Sequence, residues 1–139
     1  MKEQLFYRVA NIDTNQGLWY NWDGEFTGLI HDEFRFCKNH DLPMPFDERL
    51  QGWLSAVETV EQLYTWFPKE DIYRLQDHGW YLYGYMAEKW KEHENHYVID
   101  QQTSVPIFRA IYSPEYSMET IETLSLPNIQ RGRRSAILQ

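Results

Sequence analysis

The chain has a single cysteine, Cys37, so no intramolecular disulfide can staple it and its stability must come from a packed core. No apolar run approaches the roughly 18 residues that a membrane-crossing helix needs. The start, MKEQLFYRVA, lacks the apolar stretch of a signal peptide. These absences predict a reducing, cytoplasmic setting with no membrane partner. Glycine is scarce, at 7 residues, and neither G-x-x-x-x-G-K nor G-x-G-x-x-G occurs, so the loops that cradle nucleotide phosphates are missing. Internal repeats and low-complexity segments are absent too. Positive charge is in deficit, with 13 Lys and Arg against 21 Asp and Glu and a formal net charge of −8. Glu115, Glu119 and Glu122 are balanced by Arg131, Arg133 and Arg134 over the C-terminal part, so the imbalance lies in the body of the chain. Such a field repels nucleic-acid phosphate and steers toward a basic partner, unless it serves only solubility.

Aromatic residues are plentiful, at 17 % of 139 residues with 6 Trp and 10 Tyr. A chain of this length fits one domain with a core of its own. The clearest signals lie between Gln51 and Trp90. Val60, Leu63, Tyr64 and Phe67 recur at i, i+3, i+4 and i+7, which predicts an amphipathic helix. Its start is set by capping-box spacing at either Ser55 and Glu58 or Thr59 and Gln62. Pro68 stops it and suits the first turn of a second helix carrying Ile72 and Leu75. Gly79 fits a left-handed cap, after which Trp80 to Met86 alternates with a period of two, as a strand does.

Before this unit, Leu5 to Ile12 alternates as a first strand in which Arg8 is the odd member, requiring a carboxylate, a ligand anion or an exposed edge. Asp23-Gly24 predicts the turn of a small hairpin. Residues 31 to 50 have little period, and Pro43 and Pro45 force extension. After the unit, the charged run Glu88 to His96 reads as a solvated turn. Tyr97 to Asp100 and Val105 to Tyr112 read as strands, the latter with Pro106 near a start or an edge. Ser113, Pro114 and Glu115 suit a helix N-terminus, so a short helix with Met118, Ile121 and Leu124 inward is predicted between Ser113 and Leu126. The resulting expectation is one α+β domain over residues 1–112. A mixed or antiparallel sheet (5–12, 80–86, 97–100, 105–112) would be covered on one face by helices 56–67 and 69–78. A C-terminal extension over 113–139 would hold the short helix and the Arg-containing tail.

Few residue clusters suggest chemistry. His31, Cys37 and His40 are of metal-ligating type, but their spacing matches no standard site, so no metal is expected. Cys37 and His40 as a nucleophile pair lack any local signature. His93 and His96 read as surface histidines. Tyr81, Tyr83 and Tyr85 share one strand face, either to bind a planar ligand or partner or to pack beneath the helix at Val60 to Phe67, where the opposite face offers Trp80, Leu82 and Met86 and a gap at Gly84.

Tyr7-Arg8-Val9, Gly17-Leu18-Trp19 and Trp53-Leu54-Ser55-Ala56, followed by a late aromatic strand, resemble small ADP-ribosyltransferase-like domains over about residues 5 to 112. That resemblance implies an NAD-using enzyme in which Arg8 binds phosphate and Ser55 positions the nicotinamide ribose. The segment Ile99 to Ser104 departs from the pattern, having no Glu to stabilise an oxocarbenium-like transition state. In size, acidity and aromatic content the chain also resembles small phage-encoded accessory proteins, many of which block host defence, anti-CRISPR proteins among them, by occupying a basic nucleic-acid groove. The leading expectation is a non-catalytic inhibitor or accessory factor without cofactor. It would act on a protein partner through Asp32, Glu33, Asp41, Asp47, Glu48 and the tyrosines 81, 83 and 85.

Overall fold

The computed structural model describes residues 2–18, 30, 33–38, 52–93 and 96–124. Among them run β1 (Gln4–Asn11), β2 (Trp53–Ala56), α1 (Val60–Trp66), α2 (Lys69–Gln76), β3 (Trp80–Ala87), β4 (Trp90–His93), β5 (His96–Asp100), β6 (Val105–Tyr112) and β7 (Met118–Thr123). The α+β class is as expected, although strands dominate. The single sheet is not: the strands form two sheets, of order β1-β3-β6-β7 and β2-β5-β4. Every pairing is antiparallel.

Local chemistry decides where α1 begins. Thr59 Oγ1 accepts from the Gln62 N–H at 3.2 Å, while Gln62 Oε1 accepts from the N–H groups of Thr59 and Glu58 at 3.2 and 3.1 Å. The box is therefore the Thr59 one, and the helix starts four residues later than the expected 56. Ser55 is freed for β2, where it pairs with Val98. Pro68 sits just before α2 and accepts from Asp71 and Ile72 with its carbonyl. Gly79, at φ +85°, ends the unit in the left-handed region, and its carbonyl accepts from Ile12 at 2.8 Å, tying the end of β1 to the start of β3.

The two faces of β3 enter different clusters. Trp80 and Leu82 join Val9, Ala110 and Tyr112 with Leu63 and Phe67 from the α1 end and Ile72 and Leu75 from α2. Tyr83, Tyr85 and Ala87 join Phe6 and Ala10 with Leu54, Ala56 and Ile99. The tyrosine row thus packs beneath the second sheet and not beneath a helix. Trp80 and Leu82 share the helices' cluster instead.

Two further expectations are corrected. Residues 90 to 93 are strand β4, not a solvated turn. Their charges sit on an outermost strand, where they discourage pairing with other chains, while Trp90 turns inward onto Phe6 with ring centroids 5.6 Å apart. The segment from Ser113 is not a helix. The Ser113 N–H donates to the Ser117 carbonyl and the Tyr116 N–H to the Ser113 carbonyl, both at 2.8 Å, and Tyr116 adopts φ 64°, closing a turn into β7. The alternating Thr120, Ile121 and Thr123 prefer a strand, which Arg109 steadies by gripping Glu122 Oε1 through Nε at 2.8 Å and Nη2 at 2.6 Å. β7 thereby carries the first sheet past residue 112.

Candidate functional site

Arg8 alternates onto the inner face of β1 together with Phe6 and Ala10, and only 5 % of it is exposed. Its Nε donates to the Ser55 carbonyl at 3.2 Å and its Nη1 to the Asn15 carbonyl at 2.7 Å. The guanidinium lies over the Tyr85 ring, 5.4 Å from the centroid, and Tyr85 donates its hydroxyl to Asn15 Oδ1 at 3.2 Å. No carboxylate of the described residues neutralises Arg8. The charge is met by carbonyl dipoles, by the Tyr85 hydroxyl, which accepts from Nη1 at 3.5 Å, and by a π face. Arg8 and Ser55, paired in the sequence reading, are thus brought together, but by Ser55's main chain. Leu54 and Ala56 belong to the tyrosine-side cluster, so strand alternation turns the Ser55 hydroxyl to the other face.

The tyrosine row links this cluster to the opposite side of the sheet. Tyr85 and Tyr83 meet edge to face at 6.0 Å, Tyr83 and Tyr81 at 6.5 Å, and Arg109 covers Tyr81 at 4.8 Å. Tyr83 and Tyr85 are only 3 % and 2 % exposed, so they build core, whereas Tyr81 is half-buried. Burial raises the Tyr83 hydroxyl pKa, against a lowering hydrogen bond and charge from Arg109. Of the acids expected to bind a partner, Glu33 is exposed. Asp32, Asp41, Asp47 and Glu48 lie outside the described residues, as do His31 and His40.

A second acidic and aromatic group was missed in the sequence. Gln4 Nε2 donates to Glu58 Oε2 at 3.2 Å. Glu92 is the register partner of Tyr97, and the Tyr97 hydroxyl pKa is raised by loss of water, then by the charges of Glu58 and Glu92 and a hydrogen bond with Glu58. Phe6 joins Tyr97 at 5.4 Å to Trp90 at 5.6 Å, while on the other face of the second sheet Lys91 Nζ lies 4.5 Å above the Trp53 ring. The reading of Glu58 as a capping partner of Ser55 concealed this role.

Asp71 is fully buried on the α2 side. Its Oδ2 accepts from the Lys38 N–H at 2.7 Å, its Oδ1 has no partner, and Lys38 pairs through its ammonium with Glu70. Burial, and the Asp71 charge next, push the Cys37 thiol up to about 12, so it stays protonated at neutral pH and is no nucleophile. Burial also raises the Asp71 pKa above its ordinary 3.8, opposed by the Lys38 hydrogen bond. The folded chain then holds a proton that the unfolded chain releases. Asp71 therefore adds stability that is complete below the unfolded value and is lost as pH rises through the folded one. Asp71→Asn keeps the acceptor for Lys38, so it is expected to flatten this part of the profile and to gain on the wild type as pH rises from below the ordinary 3.8 to neutrality. Urea midpoints at the two ends of that range check this, and a parallel loss in both proteins would refute it.

Among the described residues no helix is long and apolar enough to cross a membrane, and no three His, Cys, Asp or Glu side chains gather as metal ligands. Comparisons with protein-family models, with curated proteins and with solved structures found no match.

Proposed function

We propose that the chain is a non-catalytic binding protein, an inhibitor or accessory factor of the phage-encoded, anti-CRISPR-like kind. It works in the cytoplasm, without a cofactor, on a protein partner whose basic groove holds nucleic acid. The observation that carries this reading is Glu92 set opposite Tyr97 in register, with the Glu58 charge acting on the same hydroxyl and Trp90 reached through Phe6. Of the cations, Lys38 and Arg109 are held by Glu70 and Glu122, Arg8 is buried, and Lys91 lies over Trp53. In this reading α1 and α2 cover the Trp80 and Leu82 face, and exposed Glu33 adds to the negative charge that the partner meets. The protein itself touches neither nucleic acid nor membrane.

Salt-dependent capture from bacterial lysate tests the proposal, using wild type and the double variant Glu58→Lys, Glu92→Lys side by side. A captured partner is expected to lose about tenfold or more in affinity for the variant, to show a flatter salt dependence, and to be displaced from its nucleic acid by the wild type only. Equal affinity for both proteins would refute the electrostatic reading.

One observation favours a second reading, an ADP-ribosyltransferase-like enzyme using NAD: a buried guanidinium with no carboxylate among the described residues could be completed by a phosphate. Arg8 would hold the phosphates there, and Ser55 would have to turn its hydroxyl inward. Calorimetry of the wild-type chain with millimolar NAD separates the readings, because heat of binding belongs only to the second.

A further inference from the structure

His93 and His96 are the last register pair of the β4–β5 hairpin, so their side chains leave the same face from directly opposed positions. They are not the surface histidines the charged run suggests. His96 is only 2 % exposed and lies against Trp66 of α1 with ring centroids 5.5 Å apart. Nε2 of each imidazole is shut off from solvent, and that of His93 has no hydrogen-bond partner. A buried ring nitrogen left in this state costs free energy that a bound ion would recover.

The spacing fits such an ion. With metal–nitrogen bonds of about 2.0–2.1 Å and a tetrahedral angle, two imidazoles on one Zn2+ place their ring centroids about 5.2 Å apart. The two rings are 5.6 Å apart and nearly perpendicular, at 80°, a separation close to that value. We propose that His93 and His96 form a two-imidazole site for a borderline divalent ion, Zn2+ in the first instance. Neutral imidazole is the ligand such ions prefer over the hard cations Mg2+ and Ca2+. Bound there, the ion clasps the end of the hairpin at which β4 leads into β5, beside α1.

The test uses the full chain, stripped of metal with a chelator and dialysed into a non-coordinating buffer. Calorimetric titration with ZnCl2 is expected to show one ion per chain, and saturation to raise Tm by several degrees. His93→Gln is expected to weaken binding at least about tenfold and to abolish the Tm rise. Should that variant fold poorly, Cu2+ bound to the wild type supplies an independent readout, since two coordinated imidazoles give nitrogen superhyperfine splitting in its electron paramagnetic resonance spectrum. Zn2+ binding undiminished in folded His93→Gln would overturn the assignment. So would an absence of heat at about 1 mM Zn2+, or a Cu2+ spectrum without two coupled nitrogens.

Discussion

Gly84→Ala is expected to cost about 1–4 kcal/mol of folding stability, and to gain roughly 0.5–1 kcal/mol in a chain that already carries Phe108→Ala. Gly84 pairs with Tyr7 on one side and Phe108 on the other, and the two rings meet edge to face with centroids 6.1 Å apart. A Cβ at Gly84 would lie 2.2 Å from Phe108 Cε2 and 2.4 Å from Cζ, far inside van der Waals contact. Forcing that methyl into place costs about 1–3 kcal/mol by overpacking. Displacing Phe108 from Tyr7 adds about 0.5–1.5 kcal/mol for the lost aromatic pair. Without the Phe108 ring both penalties vanish, and alanine's better fit to a strand recovers roughly 0.5–1 kcal/mol. Urea unfolding of the four proteins in this cycle measures the coupling. An equal cost in both backgrounds would show that the glycine serves backbone geometry, such as the pairing irregularity between Gly84 and Tyr85, and not the ring.

The same residue shows how far the sequence can be read. The period of two from Trp80 to Met86 places Gly84 and the tyrosines on opposite faces, and the gap at Gly84 implies a close neighbour. Periodicity says which side chains share a face, however, and not what covers it. The tyrosine row is covered by β2 and β5, which come together across more than forty residues. Within β2, WLSA is short and abuts a helix, so the local capping pattern at Ser55 and Glu58 competed with pairing that only tertiary structure supplies. Glu88 to His93 failed for a related reason, since an outermost strand is charged by necessity and resembles a turn until its partner is known. Ser113 to Ser117 carries the residues of a helix start, and its outcome is decided by the free edge of β6. Arg8 was legible as an anomaly, because a charged residue on an apolar strand demands an account. Its main-chain partners Asn15 and Ser55 leave no trace in side-chain chemistry. The metal-type pair His93 and His96 went unseen because spacing alone cannot show that a histidine amid charges is buried.

Arg8→Met is expected to destabilise the fold by about 3 kcal/mol, and Arg8→Lys to recover little of it. Two opposed effects set this figure. Removing the guanidinium relieves the cost of holding a charge at 5 % exposure with no carboxylate beside it among the described residues. It also strips the Ser55 and Asn15 carbonyls of their donor and the Tyr85 ring of its cation, at about 1–3 kcal/mol for each buried acceptor left unpaired. The second effect should win, because the lost bonds join three separate parts of the chain: β1 to the start of the second sheet, to the loop after β1, and to the tyrosine row. An ammonium cannot reproduce the fork that reaches two carbonyls at once, which is why lysine is a poor substitute. Urea midpoints for wild type, Arg8→Met and Arg8→Lys measure the balance, and Tyr85→Phe, expected to cost about 1 kcal/mol, isolates the hydroxyl's share. A neutral or stabilising Arg8→Met would reverse the conclusion. The guanidinium would then be carried at a net cost to folding, and the anion that offsets the cost would be the ligand to seek, turning the argument from the acidic surface toward the phosphate-binding reading.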